Sequence, residues 1–177
     1  MRMHPRRCGL GGSQRWGGGV RLFSFRQTHE KEHHMPTRNA SATWNGDLKA
    51  GAGTVKLGSG AFEGQYNFSS RFESGVGTNP EELISGAHAA CYSMALSAGL
   101  GGAGYKPQRV STTAKVTVDK VGEGFKITKI QLVCEAVVPG IDEGKFREMA
   151  NATKTGCPVS QALSAVPMEL DAKLVKG

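Results

Sequence analysis

Asn79-Pro80-Glu81-Glu82-Leu83-Ile84-Ser85-Gly86-Ala87-His88-Ala89-Ala90-Cys91 begins a helix, and its first four residues carry the start signals. Asn79 has the side chain of an N-cap, Pro80 at the first helical position has no N–H to leave unpaired, and Glu82 completes a capping-box pattern. The apolar run extends to Leu100, where Gly101-Gly102 predicts the end. Short strand-like pieces precede this helix at 40–44, 53–57 and 65–72, with Asn45-Gly46 as a hairpin signal after the first. Two longer pieces follow it. Residues 109–119 alternate through Val110, Thr112, Ala114, Val116 and Val118, and 126–138 through Ile130, Leu132, Cys134, Ala136 and Val138. Residues 142–155 predict an exposed helix with Phe146, Met149 and Ala150 inward. Gly156 closes it, Cys157-Pro158 starts a short helix to about residue 165, and 168–175 form a last strand. Strands in runs with helices between them predict an α+β domain rather than a doubly wound sheet.

The net charge of +7 is unevenly spread. Residues 1–34 hold Arg2, Arg6, Arg7, Arg15, Arg21, Arg26 and Lys31 against only Glu30 and Glu32, so the body is nearly neutral. A nucleic-acid footprint needs its basic patch on the folded domain, and none is expected there. The same 34 residues hold six glycines and four of the five histidines, with no useful periodicity. They read as a disordered basic extension, and residues 35–177 as the folded domain. One explanation starts translation at Met35 and treats the upstream residues as an over-extended gene start. The rival is an organelle-targeting peptide, since residues 1–29 are Arg-rich and lack Asp and Glu. No stretch approaches the roughly 20 apolar residues of a membrane span, because His88 and Ser93 interrupt the longest, 87–98.

Cysteines stand at 8, 91, 134 and 157, without a CxxC pair or zinc spacing. With no secretory h-region, a reducing, cytoplasmic setting is expected, where cysteines are catalytic, ligating or simply buried. Cys91 lies mid-helix with Ile84, Ala87, His88, Met94, Ala95 and Ala98 at helical spacing, so it occupies the apolar face. That position suits a small buried hydrophobe as well as a nucleophile. Cys157 precedes Pro158 and reads as an N-cap, where unpaired N–H groups and the positive helix end favour a thiolate. A tolerated substitution at a buried cap is the alternative. Cys134 reads as plain core, and Cys8 lies in the tail without a role. His88, three residues before Cys91, is foremost a hydrogen-bonded core histidine, with a metal ligand or a base for the thiol as lesser readings.

Arg71-Phe72-Glu73, then Gly77-Thr78-Asn79-Pro80-Glu81-Glu82-Leu83-Ile84 and Ala87-His88-Ala89-Ala90-Cys91, resemble the osmotically inducible protein C (OsmC) and organic hydroperoxide resistance family. Gly156-Cys157-Pro158-Val159-Ser160 is similar to its second signature. The resemblance runs from about residue 39 to 176, and the Arg-Phe-Glu segment before the Asn-Pro-Glu helix favours the OsmC branch.

The resemblance implies antiparallel sheets with two main helices, an intertwined homodimer with interfacial active sites, and thiol peroxidase chemistry on organic hydroperoxides in oxidative and osmotic stress defence. By that reading Cys91 attacks the peroxide and becomes a sulfenic acid, and Cys157 condenses with it as a disulfide. Arg71 holds the thiolate and polarises the peroxide, and Glu81 orients Arg71. A dithiol of dihydrolipoamide type recycles the disulfide, with no cofactor or metal. Glu81 and Cys91 are ten residues apart on one helix, or ~15 Å along its axis. A partner subunit or a break in the helix must therefore join an Arg71–Glu81 pair to Cys91. Two other classes compete: a thiol redox sensor or small-ligand binder on the same fold, and a cysteine hydrolase. The first has no need of a buried ion pair beside a thiol, and the second lacks an acid to orient His88.

Overall fold

The computed structural model describes residues 35–176. The basic extension, its two explanations and Cys8 lie outside the described residues. The first three strands, β1 (Ala40–Asn45), β2 (Ala52–Leu57) and β3 (Glu63–Asn67), form an antiparallel meander in that order. Gly53 and Val55 are its only buried residues, so this small sheet has almost no core within the chain.

The strand expected over 65–72 stops at Asn67, and α1 (Phe68–Phe72) takes over. The alternation of that stretch suits a strand, but a local capping box wins. Asn67 Oδ1 accepts the Ser70 N–H at 2.8 Å, and the Ser70 hydroxyl lies 2.9 Å from the Asn67 nitrogen. Ser70 Oγ also reaches the Thr78 carbonyl at 2.9 Å. Gly77 makes the tight approach possible with φ of +137°, because a Cβ there would stand 2.9 Å from the Gln65 carbonyl oxygen.

Next comes α2 (Pro80–Gly102), unbroken over 23 residues. Asn79 caps it by accepting the Glu82 N–H at 2.8 Å, while Asn79 Nδ2 donates to the Ser70 carbonyl at 3.1 Å. The capping box expected there is incomplete, since the Glu82 carboxylate meets Thr78 Oγ1 instead of the Asn79 backbone. By length and composition α2 would suffice to cross a membrane, more than the interrupted 87–98 run indicated. One stripe of it, His88, Tyr92, Leu96 and Leu100, is buried at helical spacing. Ala87, Met94 and Ala98, expected on that face, are exposed, Met94 by 74%. The helix is apolar nearly all round, so the pattern could not separate its two faces.

The second sheet has the order β4-β5-β6, from β4 (Arg109–Val121), β5 (Gly124–Val137) and β6 (Met168–Leu174). β4 and β5 form a long antiparallel hairpin, but β6 joins β5 in parallel, a departure from the all-antiparallel expectation. The cause is the connection: α3 (Glu143–Gly156) and α4 (Pro158–Ala162) carry the chain back before β6, as a parallel crossover requires. α4 ends three residues short of the expected boundary. The core lies between α2, the second sheet and α3, with Tyr92, Leu96, Leu132, Cys134, Phe146 and Ala150 fully or almost fully buried. Fully burying a side chain the size of Leu96, Leu132 or Phe146 contributes roughly 1.5–3 kcal/mol. Cys134 is plain core, as expected.

Candidate active site

Cys157 occupies the junction of two helices. Its N–H donates to the Thr153 carbonyl at 2.9 Å and so ends α3, while its Sγ accepts the Ser160 N–H at 3.5 Å and so begins α4. Pro158 at the first position of α4 keeps that turn free of a competing donor. Cys91 sits at the border of the buried stripe of α2, half-buried, and faces this junction. The two Sγ atoms are 3.1 Å apart across 66 residues of sequence. Both thiols are free, as is Cys134.

The surroundings treat the two thiols oppositely. Burial pushes the Cys91 thiol up, the neighbouring Cys157 adds to this, and only the Val159 backbone N–H opposes it. Burial also works against a Cys157 thiolate. There the Ser160 N–H, the Ser160 hydroxyl, the Cys91 thiol and the Val159 N–H together outweigh it and bring Cys157 below its ordinary value. Cys157 is completely buried, whereas Cys91 has the access to solvent that an incoming oxidant needs.

Arg71 and Glu81 form a separate pair. Arg71 Nη2 donates to Oε1 at 2.8 Å and Nε to Oε2 at 3.2 Å, a two-pronged geometry that fixes both groups. Glu81 is buried and Arg71 partly so. The Arg71 guanidinium also lies 5.0 Å from the centroid of Phe72, whose ring packs on Phe68 and Phe125. Beside it Trp44, Tyr66, Phe68, Phe72 and Pro80 line a cleft of about 290 Å³. Since α2 is unbroken from Glu81 to Cys91, one chain does not bring the guanidinium to the thiol pair. The break in the helix that sequence allowed does not exist.

His88 is fully buried and hydrogen-bonded, as expected, with Nε2 2.8 Å from Ser160 Oγ. Burial holds it below its ordinary value, so the ring is neutral. Among the described residues no cluster of His, Cys, Asp and Glu could hold a metal ion. Ser160 is the residue sequence reasoning passed over. Its signal was its place three residues after a capping cysteine, which aims its N–H at the sulfur.

The fold thus brings two free thiols into contact and sets an Arg–Glu pair, Arg71 from α1 and Glu81 from α2, on the helix turn ten residues before one of them, an arrangement that points to a class of dithiol proteins. The sequence matches the family described as OsmC-like protein over residues 73–171, a span that includes Glu81, Cys91 and Cys157 and begins just after Arg71. The chain belongs to that family. It is 54% identical over 129 residues to peroxiredoxin OsmC of Escherichia coli (strain K12), covering 72% of this chain and 90% of that protein. It is 33% identical over 89 residues to the organic hydroperoxide resistance protein of Xanthomonas axonopodis pv. citri (strain 306), covering 50% and 61%. Among solved structures, the organic hydroperoxide resistance protein OhrB of Bacillus subtilis superposes with a TM-score of 0.61 at 25% identity, covering 76% of this chain and 98% of that one. An OsmC-like protein from Mycoplasma pneumoniae, at 16% identity and TM-score 0.63 over 79% and 98% of the two chains, shares the fold.

Proposed function

We propose that the chain is a thiol-dependent peroxidase that reduces organic hydroperoxides in oxidative and osmotic stress defence. The observation that carries this reading is the 3.1 Å contact between a half-exposed thiol, Cys91, and a buried one, Cys157. Cys91 attacks the peroxide O–O bond as a thiolate, an alcohol leaves, and the sulfur becomes a sulfenic acid. Cys157 then displaces water from it to form the disulfide. A dithiol of dihydrolipoamide type returns both thiols, in a reducing compartment that we take to be the cytoplasm. No cofactor enters this sequence.

Burial pushes the Cys91 thiol up, so it needs a cation to react as a thiolate at neutral pH. We assign that role to Arg71 of a second subunit in an intertwined homodimer, with Glu81 holding the guanidinium fork. Two features support the dimer. The β1–β3 sheet lacks a core of its own, and the outer stripe of α2, with Ala87, Ala90, Met94 and Ala98, is apolar yet exposed. The aromatic cleft beside Arg71 would take the apolar tail of an alkyl hydroperoxide, for which hydrogen peroxide has no counterpart. The folded domain of this reading is residues 35–177, with 1–34 an extension outside it.

The test is peroxide consumption with a dithiol reductant, alkyl hydroperoxide against hydrogen peroxide. Faster turnover of the alkyl hydroperoxide, lost in Cys91→Ser, is expected. Equal turnover in wild type and Cys91→Ser would overturn the reading.

A further inference from the structure

Two fully or nearly buried polar side chains, His88 and Ser160, have no part in the chemistry above. They come from different helices and meet at 2.8 Å. Ser160 also presents its N–H to Cys157 Sγ at 3.5 Å, and that sulfur lies 3.1 Å from Cys91 Sγ. His88, Ser160, Cys157 and Cys91 thus form a closed run of polar contacts that leaves α2 at His88, passes through α4 and returns to α2 three residues later. Tyr92, also on α2, is a further titratable group close enough to feel the charge of Cys157.

The direction of the hydrogen bonds follows from what is unpaired. His88 Nδ1 is buried without a partner. A hydrogen on Nδ1 would leave a donor stranded in the core, at a cost of about 1–3 kcal/mol. A bare lone pair there is the lesser loss, because buried acceptors go unpaired more readily than buried N–H groups. The neutral ring therefore carries its hydrogen on Nε2 and donates to Ser160 Oγ. That occupies the serine oxygen as acceptor and leaves its own hydrogen to be donated. Among the described residues the Ser160 hydroxyl has no hydrogen-bond partner besides His88 Nε2, and we assign its hydrogen to the nearby Cys157 sulfur, which already accepts the Ser160 N–H and which the Ser160 hydroxyl helps to lower.

We propose that His88 is a positioning residue for the resolving step: through the Ser160 hydroxyl it holds Cys157 as a thiolate aimed at the Cys91 sulfur. The inference rests on the peroxidase reading above. The Cys157 thiolate attacks the Cys91 sulfenic sulfur, the S–S bond forms and the S–OH bond breaks. Hydroxide leaves and takes up the proton that Cys157 had released, so each disulfide yields one water. The fall of Cys157 below its ordinary value, with the Ser160 hydroxyl among its causes, agrees with this.

Two measurements on the full-length protein test it. In a Cys91→Ser background, the rate of iodoacetamide labelling of Cys157, read by peptide mass spectrometry, gives its titration without any peroxide. Ser160→Ala and His88→Leu should each raise the midpoint by about one pH unit. His88→Gln keeps an N–H donor and should lie closer to wild type. With all cysteines present, a single hydroperoxide pulse followed by dimedone trapping reads the lifetime of the Cys91 sulfenic acid. That lifetime should lengthen severalfold more than the peroxide step slows in Ser160→Ala and His88→Leu. An unchanged Cys157 midpoint in Ser160→Ala, which alters little volume and decides the matter if His88→Leu fails to fold, would overturn the proposal. So would equal slowing of both steps. Failure of the underlying peroxidase reading shows differently, as the absence of Cys91 sulfenic acid in every variant and in wild type.

Discussion

The guanidinium of Arg71 holds the Glu81 carboxylate by both forks, at 2.8 and 3.2 Å, on the first turn of the helix that carries Cys91 ten residues later. At 1.5 Å of rise per residue the pair stands ~15 Å along the axis from the thiol. One chain therefore holds an Arg–Glu pair at the first turn of α2 and a thiol ten residues further on, and in the homodimer proposed above each pair would serve the thiol of the partner subunit.

The first prediction follows from this division. Arg71→Ala should slow the peroxide step by about 10²–10³-fold, the usual cost of removing one pre-aimed donor. Arg71→Lys should rescue little, since an ammonium cannot make the two-pronged contact with Glu81. Mixing the Arg71→Ala and Cys91→Ser proteins separates the two geometries. If Arg71 serves the partner's thiol, free exchange at equal amounts should restore roughly a quarter of wild-type activity, because half the dimers are mixed and each has one intact site. If no activity returns, Arg71 does not act across the interface.

The second prediction concerns the core under the thiols. The Tyr92 hydroxyl donates to the Ala150 carbonyl at 3.0 Å and ties α2 to α3, the two helices that flank Cys91 and Cys157. Tyr92→Phe deletes that bond and little else, so it should cost about 1 kcal/mol and lower Tm by roughly 3 °C. Thermal unfolding monitored by circular dichroism checks it. A loss above about 3 kcal/mol would mean that the hydroxyl supports more than this contact.

The third prediction is a pH dependence. His88 is the only histidine after residue 34, and burial holds it below its ordinary value of 6.5. Below pH 6.5 the unfolded chain binds a proton that the folded one does not. Stability therefore falls as pH drops from 6.5, by at most about 1.4 kcal/mol per unit, until the folded value is reached. In a chain starting at Met35, urea unfolding between pH 7 and 5 should show this fall, and His88→Gln should flatten it. The same chain should melt within a degree or two of the full-length protein, since residues 1–34 have no packing pattern. A flat profile in the wild-type protein would contradict a neutral, buried His88.

Much of this fold was legible because its signals are local. The Asn79-Pro80 start, the alternation of β4 and β5 and the cap at Cys157 each lie within a few residues, and each stands where expected. The misses have tertiary causes. α1 displaces a strand because the Ser70 hydroxyl finds the Thr78 carbonyl, a partner that alternation cannot show. β6 pairs in parallel because two helices intervene, and its pattern looks the same in either direction. The outward side of α2 looked like core because alanine and methionine on an unpartnered face carry the same pattern as a buried one. The site divides in the same way. Cys157 could be read as a cap, but its contact with Cys91 spans 66 residues and came only with the family resemblance. Ser160 had a local signal, its place three residues after the capping cysteine, but its contact with His88 spans 72 residues and no local pattern shows it.

The last prediction is the disulfide itself. Free thiols 3.1 Å apart need to close by only about 1 Å to reach a bonded S–S distance near 2.05 Å. No large motion of α2 or α4 is required, so oxidation by a stoichiometric hydroperoxide should give a Cys91–Cys157 crosslink within one chain. Peptide mapping under non-reducing conditions reads this directly. Cys134 should stay a free thiol throughout, because it is completely buried on β5 and burial pushes it up. In Cys157→Ser the sulfenic acid at Cys91 has no neighbouring thiol to capture it, so excess peroxide should carry it on to the sulfinic and sulfonic forms, mass increases that the same mapping resolves. Cys91→Ser should show neither the crosslink nor the over-oxidation at that peptide. A map in which Cys91 is joined to Cys134, or to Cys91 of a second chain, would remove Cys157 from the resolving role and with it the relay through Ser160.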